Sequence, residues 1–146
     1  MIVKLNHTSF TVLNLKKSVN FYKKVLDFKL VNFSTRNKKF SELVTGVRNA
    51  KLKIAYLKKN NFYLELIEYT SGKGTKADTA VNNIGSSHIC FDVKNFNFFL
   101  DKFIKNKVKF VGTPTIIPAG PNKGKKVLYF EDIDNNTLEI ISLNKY

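Results

Sequence analysis

The chain has 146 residues, of which 43% are hydrophobic, and this length accommodates one domain of ordinary size or two small modules that share a core. No apolar run is long enough to span a membrane, the first ten residues lack the apolar stretch of a secretory signal, and Cys90 is the single cysteine. These features exclude a helical membrane span and an intramolecular disulfide, and they predict a cytoplasmic protein.

The net charge of +14 raises the question of nucleic acid, but the distribution of the charge argues against this partner. Arg36 and Arg48 are the only arginines, although arginine is the residue best suited to bidentate contacts with bases. The lysines are dispersed along the chain and often adjoin asparagines. We therefore expect no nucleic acid partner and no membrane partner, and we expect the charge to favour an anionic small-molecule substrate.

The first half of the chain begins with a predicted strand, HTSFTV (7–12), in which side chains alternate between two faces. Asn14 can cap the helix that follows. The apolar residues of this helix have helical spacing: Leu15, Val19, Tyr22 and Leu26. The stretch 53–69 is typical of a hairpin, because two apolar strands flank the turn KKNN (58–61).

A polar connection without periodicity, 71–83, precedes a second half with the same succession of elements. In its first strand, GSSHICFDV (85–93), apolar residues alternate with small or polar ones that include His88. Asn95 can cap the following helix. The apolar stripe of this helix is expected to consist of Phe96, Phe99, Leu100, Phe103 and Ile104. A hairpin over 127–143, with the turn DIDNN, completes the half.

The two halves repeat one another in sequence. Residues 7–15 match residues 88–96 at an offset of 81 (88 minus 7), and residues 53–69 match residues 127–143 at an offset of 74 (127 minus 53). We therefore predict an α+β fold of two βαβββ modules, in which a helix covers one face of each sheet. The predicted single domain, 1–146, consists of module 1 (1–70), the connection (71–83) and module 2 (84–146). The uncovered faces of the two sheets are expected to form a shared cup.

The only two histidines, His7 and His88, occupy matching positions of the repeat, and so do Glu65 and Glu139. Each glutamate lies within an apolar strand, where a carboxylate is costly to bury unless it is paired or binds a cation. Two imidazoles and two carboxylates suit a divalent metal with a borderline preference for N and O ligands. The sequence therefore predicts one metal site made of these four residues. A metal-free His–Glu hydrogen-bond network, or matching residues left over from duplication, are the alternatives.

Two further glutamates and one loop are weaker candidates. Glu68 has the opposite strand parity to Glu65, so we expect it on the helix side or in solvent. Glu131, at a strand end, is expected on the surface. In the loop AGPNKGKK (119–126), Lys123 could bind an anion, and an ordinary Pro/Gly turn is the alternative.

A resemblance to the vicinal oxygen chelate superfamily, the glyoxalase/bleomycin resistance/dioxygenase family, lies in four segments: HTSFTVLNLKKSVNFYKKVLDFKL, YLELIEY, SSHICFDV and KKVLYFEDIDNNTLEII. The superfamily includes glyoxalase I, methylmalonyl-CoA epimerase, fosfomycin-resistance proteins, extradiol dioxygenases and bleomycin-binding proteins. The resemblance covers nearly the whole chain. It implies paired βαβββ modules with metal ligands on the first and last strands of each, which are the positions of His7, Glu65, His88 and Glu139.

An intact set of two histidines and two glutamates most resembles bacterial glyoxalase I, a lactoylglutathione lyase. This resemblance implies a lyase or isomerase of glyoxalase I or epimerase type, which removes a proton next to a carbonyl through an enediolate stabilised by one divalent ion (Zn, Ni, Co, Mn or Fe). It implies Glu139 as the base, with Glu65 as its partner. Where glyoxalase I has an arginine and an asparagine, this chain has Thr11 and Tyr69, and these residues together with Lys123 are the substrate-binding candidates.

Two other functions stay open: a binding protein of bleomycin-resistance type without turnover, and an Fe(II) dioxygenase. Metal analysis separates the first from an enzyme, because a pure binding protein would not take up stoichiometric metal, and O₂ uptake tests the second. Superfamily members often pair, so the resemblance also implies a homodimer, with each site either inside one chain or shared between two.

Overall fold

The structure of the chain, a computed structural model, describes all residues, 1–146. The chain divides into two compact units, Met1–Lys76 and Ala77–Tyr146, and the division lies within the predicted connection. Each unit contains one four-stranded sheet with parallel and antiparallel pairs, which confirms the predicted α+β class with two βαβββ modules. No helix in the chain has the length and apolar character needed to cross a membrane.

The first unit has four strands and two helices. In chain order they are β1 (Thr8–Thr11), α1 (Leu15–Leu26), β2 (Lys29–Arg36), α2 (Lys38–Thr45), β3 (Lys51–Lys59) and β4 (Phe62–Ser71). The strand order in the sheet is β1-β4-β3-β2, with β1 parallel to β4 and the other pairs antiparallel. The central strands β3 and β4 therefore form the predicted hairpin, and β1 and β2 are the edges.

Helix α1 covers one face of this sheet. The Asn14 side chain accepts a hydrogen bond from the backbone N–H of Lys17 at 3.0 Å, which confirms the predicted cap. The buried residues of the helix are Leu15, Ser18, Tyr22, Val25 and Leu26. Leu64 and Leu66 of β4 are fully buried on the same side of the sheet. Because side chains alternate along β4, Glu65 between these two leucines belongs to the opposite, open face.

One of the two places predicted for Glu68 is confirmed, whereas Glu131 is half-buried at its strand end and is not the surface residue that the sequence predicted. Glu68 lies on the helix side, where its Oε2 accepts from the backbone N–H of Leu15 at 2.8 Å. There it is a second acceptor at the amino end of α1, and its negative charge also favours that end of the helix dipole. Glu131 forms an ion pair with Lys109, with 2.9 Å between Oε2 and Nζ. Both carboxylates thus have structural partners.

Helix α2 is the element that the sequence analysis did not predict. Asn37 caps it by accepting from the backbone N–H of Phe40 at 3.0 Å, and Gly46 ends it with φ of 69°, a left-handed conformation that suits glycine. Only Ser41 is buried among its eight residues. A helix this short and this exposed has little hydrophobic periodicity, so its two caps are the signals that remain in the sequence.

The second unit has four strands and one helix. In chain order they are β5 (His88–Val93), α3 (Phe96–Lys105), β6 (Thr115–Ile116), β7 (Lys125–Glu131) and β8 (Thr137–Lys145). The strand order is β5-β8-β7-β6, with β5 parallel to β8. Strand β6 has two residues because Pro114 and Pro118 flank it, and proline cannot donate to a strand ladder.

Helix α3 begins at its predicted cap, where Asn95 accepts from the backbone N–H of Phe98 at 3.0 Å. Phe96 and Phe103 are fully buried, and the Phe103 ring packs 4.4 Å from the Phe130 ring, centroid to centroid. The predicted apolar stripe is too wide, because Ile104 is 60% exposed. The helix therefore buries a narrow line of aromatic residues against its own sheet.

Candidate metal centre

The first cluster, defined as His7, Glu65 and Tyr56, lies on the open face of the first unit's sheet. Glu65 of β4 pairs in register with Ser9 of β1 on one side and with Tyr56 of β3 on the other. His7 immediately precedes β1, and its Nε2 lies 3.3 Å from Oε2 of Glu65. The Tyr56 ring meets the His7 ring edge to face, with centroids 5.5 Å apart. Three strands thus bring together an imidazole, a carboxylate and a phenol.

Tyr56 is bound to Glu65 through its hydroxyl. Burial, the hydrogen bond with the Glu65 carboxylate and the negative charge of that carboxylate raise the pKa of Tyr56 to about 12, and the positive charge of Arg36 opposes this shift. The phenol therefore keeps its proton at neutral pH and acts as a hydrogen-bond donor toward the Glu65 carboxylate. Glu65 itself is only 8% exposed, so its carboxylate depends on such partners.

The hydrogen bonding of His7 bears on whether a metal fits here. Its Nδ1 lies 2.8 Å from Oδ1 of Asn6, an acceptor, so Nδ1 carries a proton and neutral His7 has its lone pair on Nε2. That lone pair faces Oε2 of Glu65, which is also an acceptor. Two acceptors 3.3 Å apart repel each other unless a second proton on His7 or a cation lies between them. The arrangement is one that a divalent metal satisfies.

The second cluster, defined as His88, Glu139, Tyr129 and Cys90, repeats this arrangement in the second unit. Glu139 of β8 pairs in register with Cys90 of β5 and with Tyr129 of β7. The Nε2 atom of His88 lies 3.1 Å from Oε2 of Glu139 and 3.4 Å from the hydroxyl of Tyr129. Glu139 is 7% exposed, so both carboxylates of the predicted site are buried to the same extent.

The second cluster differs from the first in the group that meets the carboxylate. Desolvation, a hydrogen bond to Glu139 and the negative charges of Glu139 and Asp92 raise the pKa of the Cys90 thiol to about 12, against a smaller opposing effect of Lys125. Burial and the charges of Glu139 and Cys90 also raise the pKa of Tyr129. Glu139 thus has a thiol as its neighbouring hydrogen-bond donor, where Glu65 has a phenol.

The sequence analysis missed both tyrosines, and the reason lies in the length of the hairpin turns. Tyr56 lies nine residues before Glu65 (65 minus 56), whereas Tyr129 lies ten before Glu139 (139 minus 129). The ungapped offset of 74 is therefore wrong for the first strand of the hairpin, because it aligns Tyr56 with Phe130. Aligning KIAYL (53–57) with KVLYF (126–130) would have matched the two tyrosines.

The predicted substrate-binding residues lie at three different places. Thr11 of β1 pairs with Ile67 of β4, two residues along from the Ser9–Glu65 pair and on the same face. Tyr69 also shares the face of Glu65 by parity, and it is half-buried opposite Leu52. Lys123 is exposed in a hydrogen-bonded turn, where its backbone N–H donates to the carbonyl of Gly120 at 3.1 Å.

Each unit brings one predicted histidine to one predicted glutamate. Within neither unit do three or more His, Cys, Asp or Glu side chains gather into a group able to hold a metal ion. The combination of all four ligands around one ion therefore stays a prediction. The donor set fits such an ion, since each imidazole Nε2 lies within 3.3 Å of a nearly buried carboxylate.

A family model described as the Glyoxalase/Bleomycin resistance protein/Dioxygenase superfamily matches residues 4–140. The chain belongs to this superfamily. The resemblance inferred from the sequence is thereby confirmed, and proteins of this superfamily typically bind a divalent metal and small-molecule substrates.

Solved structures show the same fold. A glyoxalase family protein from Bacillus cereus is 18% identical, with a TM-score of 0.82 over 97% of this chain and 95% of that chain. A glyoxylase/bleomycin resistance protein/dioxygenase domain from Frankia sp. EAN1pec is 20% identical, with a TM-score of 0.70 over 97% and 93%. The fosfomycin resistance protein FosX from Listeria monocytogenes is 16% identical, with a TM-score of 0.68 over 99% and 96%. A variant of that FosX is complexed with Mn(II) and 1S,2S-dihydroxypropylphosphonic acid.

Proposed function

We propose that the chain is a divalent-metal-dependent lyase or isomerase that removes a proton next to a substrate carbonyl, as glyoxalase I and the epimerases of this superfamily do. The observation that supports this most is the matched pair of buried His–Glu contacts, at 3.3 Å in the first unit and 3.1 Å in the second.

His7, Glu65, His88 and Glu139 would hold the ion. A divalent metal bound there supplies Lewis acidity toward two neighbouring oxygens of the substrate. The phenol of Tyr56 holds the Glu65 carboxylate in place, and the Asn6 side chain fixes the ring orientation of His7. Such partners orient metal ligands and set their basicity. Thr11, Tyr69 and Lys123 are proposed to contact the substrate.

Glu139 is the proposed base. Its carboxylate is nearly buried, and the group that adjoins it on the neighbouring strand is the thiol of Cys90. Glu65 is instead adjoined by the phenol of Tyr56, and we propose it as a metal ligand and not as the base. His88, at 3.1 Å from Glu139, can orient the carboxylate toward the substrate carbon.

A substrate screen on metal-loaded protein in D₂O tests this function. The expected result is incorporation of deuterium at an acidic carbon of one substrate, measured by NMR or mass spectrometry, together with about one ion per complete site. A purified chain that takes up no stoichiometric Zn, Ni, Co, Mn or Fe would show instead a binding protein without turnover. Consumption of O₂ by the Fe(II)-loaded protein would show a dioxygenase.

A second candidate function is addition of water to a small phosphonate. Several of the solved structures that share the fold are FosX proteins, and the compound bound to one of them carries two adjacent hydroxyls and a phosphonate. Phosphorus NMR of fosfomycin incubated with the Mn(II)-loaded chain distinguishes the two functions. A new phosphonate product supports the second candidate, and deuterium exchange without change of fosfomycin supports the first.

The proposal includes a cytoplasmic homodimer. Light scattering at micromolar concentration should give about twice the chain mass of 16.7 kDa. A mass of one chain would contradict this part of the proposal and leave the chemistry unaffected.

A further inference from the structure

The open face of the first unit's sheet extends beyond the His7–Glu65 cluster to the edge strand β2. Asn32 of β2 pairs in register with Tyr56, Ser34 pairs with Ile54, and Arg36 pairs with Leu52. Residues that are directly opposite on neighbouring strands project to the same face. Three polar side chains of β2 therefore belong to the face that carries Glu65, at increasing distance from it.

Ser34 has an unusual hydroxyl. Its Oγ is buried and has no hydrogen-bond partner, and it is the only side-chain polar atom of the protein in this condition. A buried hydroxyl without a partner destabilises a fold, because the group has lost water and gained nothing in return. Ser34 lies on the open face, where it pairs with Ile54 two residues along β2 from the Asn32–Tyr56 pair. A ligand bound to this face would supply the missing hydrogen-bond partner.

Arg36 lies next along the same strand, and its guanidinium is held in place. It is half-buried, its Nη1 donates to the carbonyl of Thr35 at 3.1 Å, and its Cζ lies 6.0 Å from the centre of the Phe40 ring of α2. A carbonyl and an aromatic ring orient the group without neutralising its charge. The positive charge is close enough to act on the Tyr56 phenol.

The choice of residue is also informative. The chain has 25 basic residues of the Lys and Arg types, and only Arg36 and Arg48 are arginines. A guanidinium presents parallel N–H donors that match the oxygens of a carboxylate, phosphonate or phosphate, which the ammonium group of lysine cannot do. One of two arginines thus lies on the face that carries the His–Glu pair, next to an unpaired hydroxyl donor.

We propose that Ser34 and Arg36 form an oxyanion-binding subsite, which holds the carboxylate, phosphonate or phosphate end of a small substrate. The inference rests on the proposed function, because the other end of that substrate must present its oxygens to His7 and Glu65. Four residues of β2, about 13 Å of backbone, separate the Asn32–Tyr56 pair from the Arg36–Leu52 pair. The long arginine side chain shortens this distance. The apolar residues Ile54 and Ile67 lie between the two pairs.

Binding of inorganic phosphate to the metal-free full chain tests the subsite, with titrations followed by NMR or calorimetry. Arg36→Met should weaken phosphate binding about 10-fold or more, the usual order for loss of a charge-assisted bidentate contact. Arg48→Met is the matched control, because it removes the same charge from an exposed arginine and should change binding less than about 2-fold. Acetate and methylphosphonate titrated in the same way show which oxyanion the subsite prefers.

Ser34→Ala gives a second and independent result. The substitution removes a hydroxyl that has no partner, so the melting temperature of the ligand-free chain should stay the same or rise. Phosphate binding should nevertheless fall, by about 10-fold or more for one hydrogen bond to a charged oxygen. A purely structural role of Ser34 predicts no change in binding. Arg36→Lys keeps the positive charge but not the parallel N–H donors, so its loss of phosphate affinity should be smaller than that of Arg36→Met. It also serves as the test variant if Arg36→Met does not fold.

Equal losses in Arg36→Met and Arg48→Met would overturn the proposal, since phosphate would then respond to overall charge alone. No loss in Ser34→Ala would remove Ser34 from the subsite. Metal stoichiometry is measured in each variant by a separate titration and should equal that of the unmodified chain. A chain that binds phosphate through Arg36 but takes up no metal would refute the proposed function and not the subsite, so the two failures are distinguishable.

Discussion

The two units each place a His–Glu pair on equivalent strands but surround the carboxylates differently. In the first unit, Glu65 accepts a hydrogen bond from the phenol of Tyr56. In the second unit, the phenol of Tyr129 lies 3.4 Å from His88 instead, and the thiol of Cys90 bonds to Glu139. The difference shows how a repeated frame can surround two equivalent carboxylates with different neighbouring groups.

The helix ends differ in a similar way. The amino end of α1 has two acceptors, the Asn14 side chain and the Glu68 carboxylate. The amino end of α3 has the Asn95 side chain. The residue that matches Glu68 at the offset of 74 is Ser142, whose hydroxyl accepts from the backbone N–H of Lys126 on β7 and donates to the carbonyl of Asn144. The amino end of α1 thus has one more side-chain acceptor than the amino end of α3.

The largest effect is expected from comparing Glu139→Gln with Glu65→Gln. If Glu139 takes the proton, turnover should fall about 10²–10⁴-fold in Glu139→Gln, the usual contribution of a positioned base. Glu65→Gln should lose less turnover, since Glu65 is proposed to act as a ligand. Substrate affinity should change much less in Glu139→Gln. Metal content is measured in both variants, and full turnover of metal-loaded Glu139→Gln would exclude Glu139 as the base.

Removal of each histidine tests whether the two pairs hold one ion. His88→Ala should weaken metal binding more than about 100-fold, because even partners outside the ligand set are worth 10–100-fold. His7→Ala should cause a loss of the same order, measured by isothermal titration with the metal alone. A large loss in one variant and none in the other would show that a single unit binds the ion and that the four-ligand prediction is wrong.

Alkylation of Cys90 reports the environment of Glu139, since the matching position of the first unit is Ser9. The thiolate is the reactive form, so a thiol whose pKa is about 12 should react slowly with iodoacetamide at pH 8, and its rate should still rise above pH 10. In metal-free Glu139→Gln the negative charge is gone, the thiol pKa falls, and the rate at pH 8 should rise about 10-fold. The urea-denatured chain is the control, and a native rate equal to the denatured one would contradict the assignment.

The smallest effect is expected at the helix caps. Asn95→Ala should destabilise the chain by about 1 kcal/mol, the typical value of an N-cap. Asn14→Ala should cost less, because Glu68 continues to accept from Leu15 at the same helix end. Urea unfolding with an unchanged slope measures both values. A larger loss in Asn14→Ala than in Asn95→Ala would show that Glu68 does not compensate.

The sequence by itself determined the α+β fold, the two caps Asn14 and Asn95, and the matching positions of the two histidines and two glutamates in the repeat. These features are encoded locally, in the alternation of side chains along strands, in the helical spacing of apolar residues and in a repeat that carries both histidine and glutamate. The placement of Glu65 and Glu139 on open faces also followed, since each lies between residues of opposite parity that are buried.

Only the tertiary structure decided which side chains contact the two histidines and two glutamates. The tyrosines Tyr56 and Tyr129 reach the glutamates through strand register, and a shift of one residue would have turned each to the other face. The same holds for Ser34 and Arg36, whose side of the sheet is set by the pairing of β2 with β3 and whose surroundings include the unpredicted helix α2. Register is fixed by contacts distant in sequence and by turn length, so local patterns leave it undetermined.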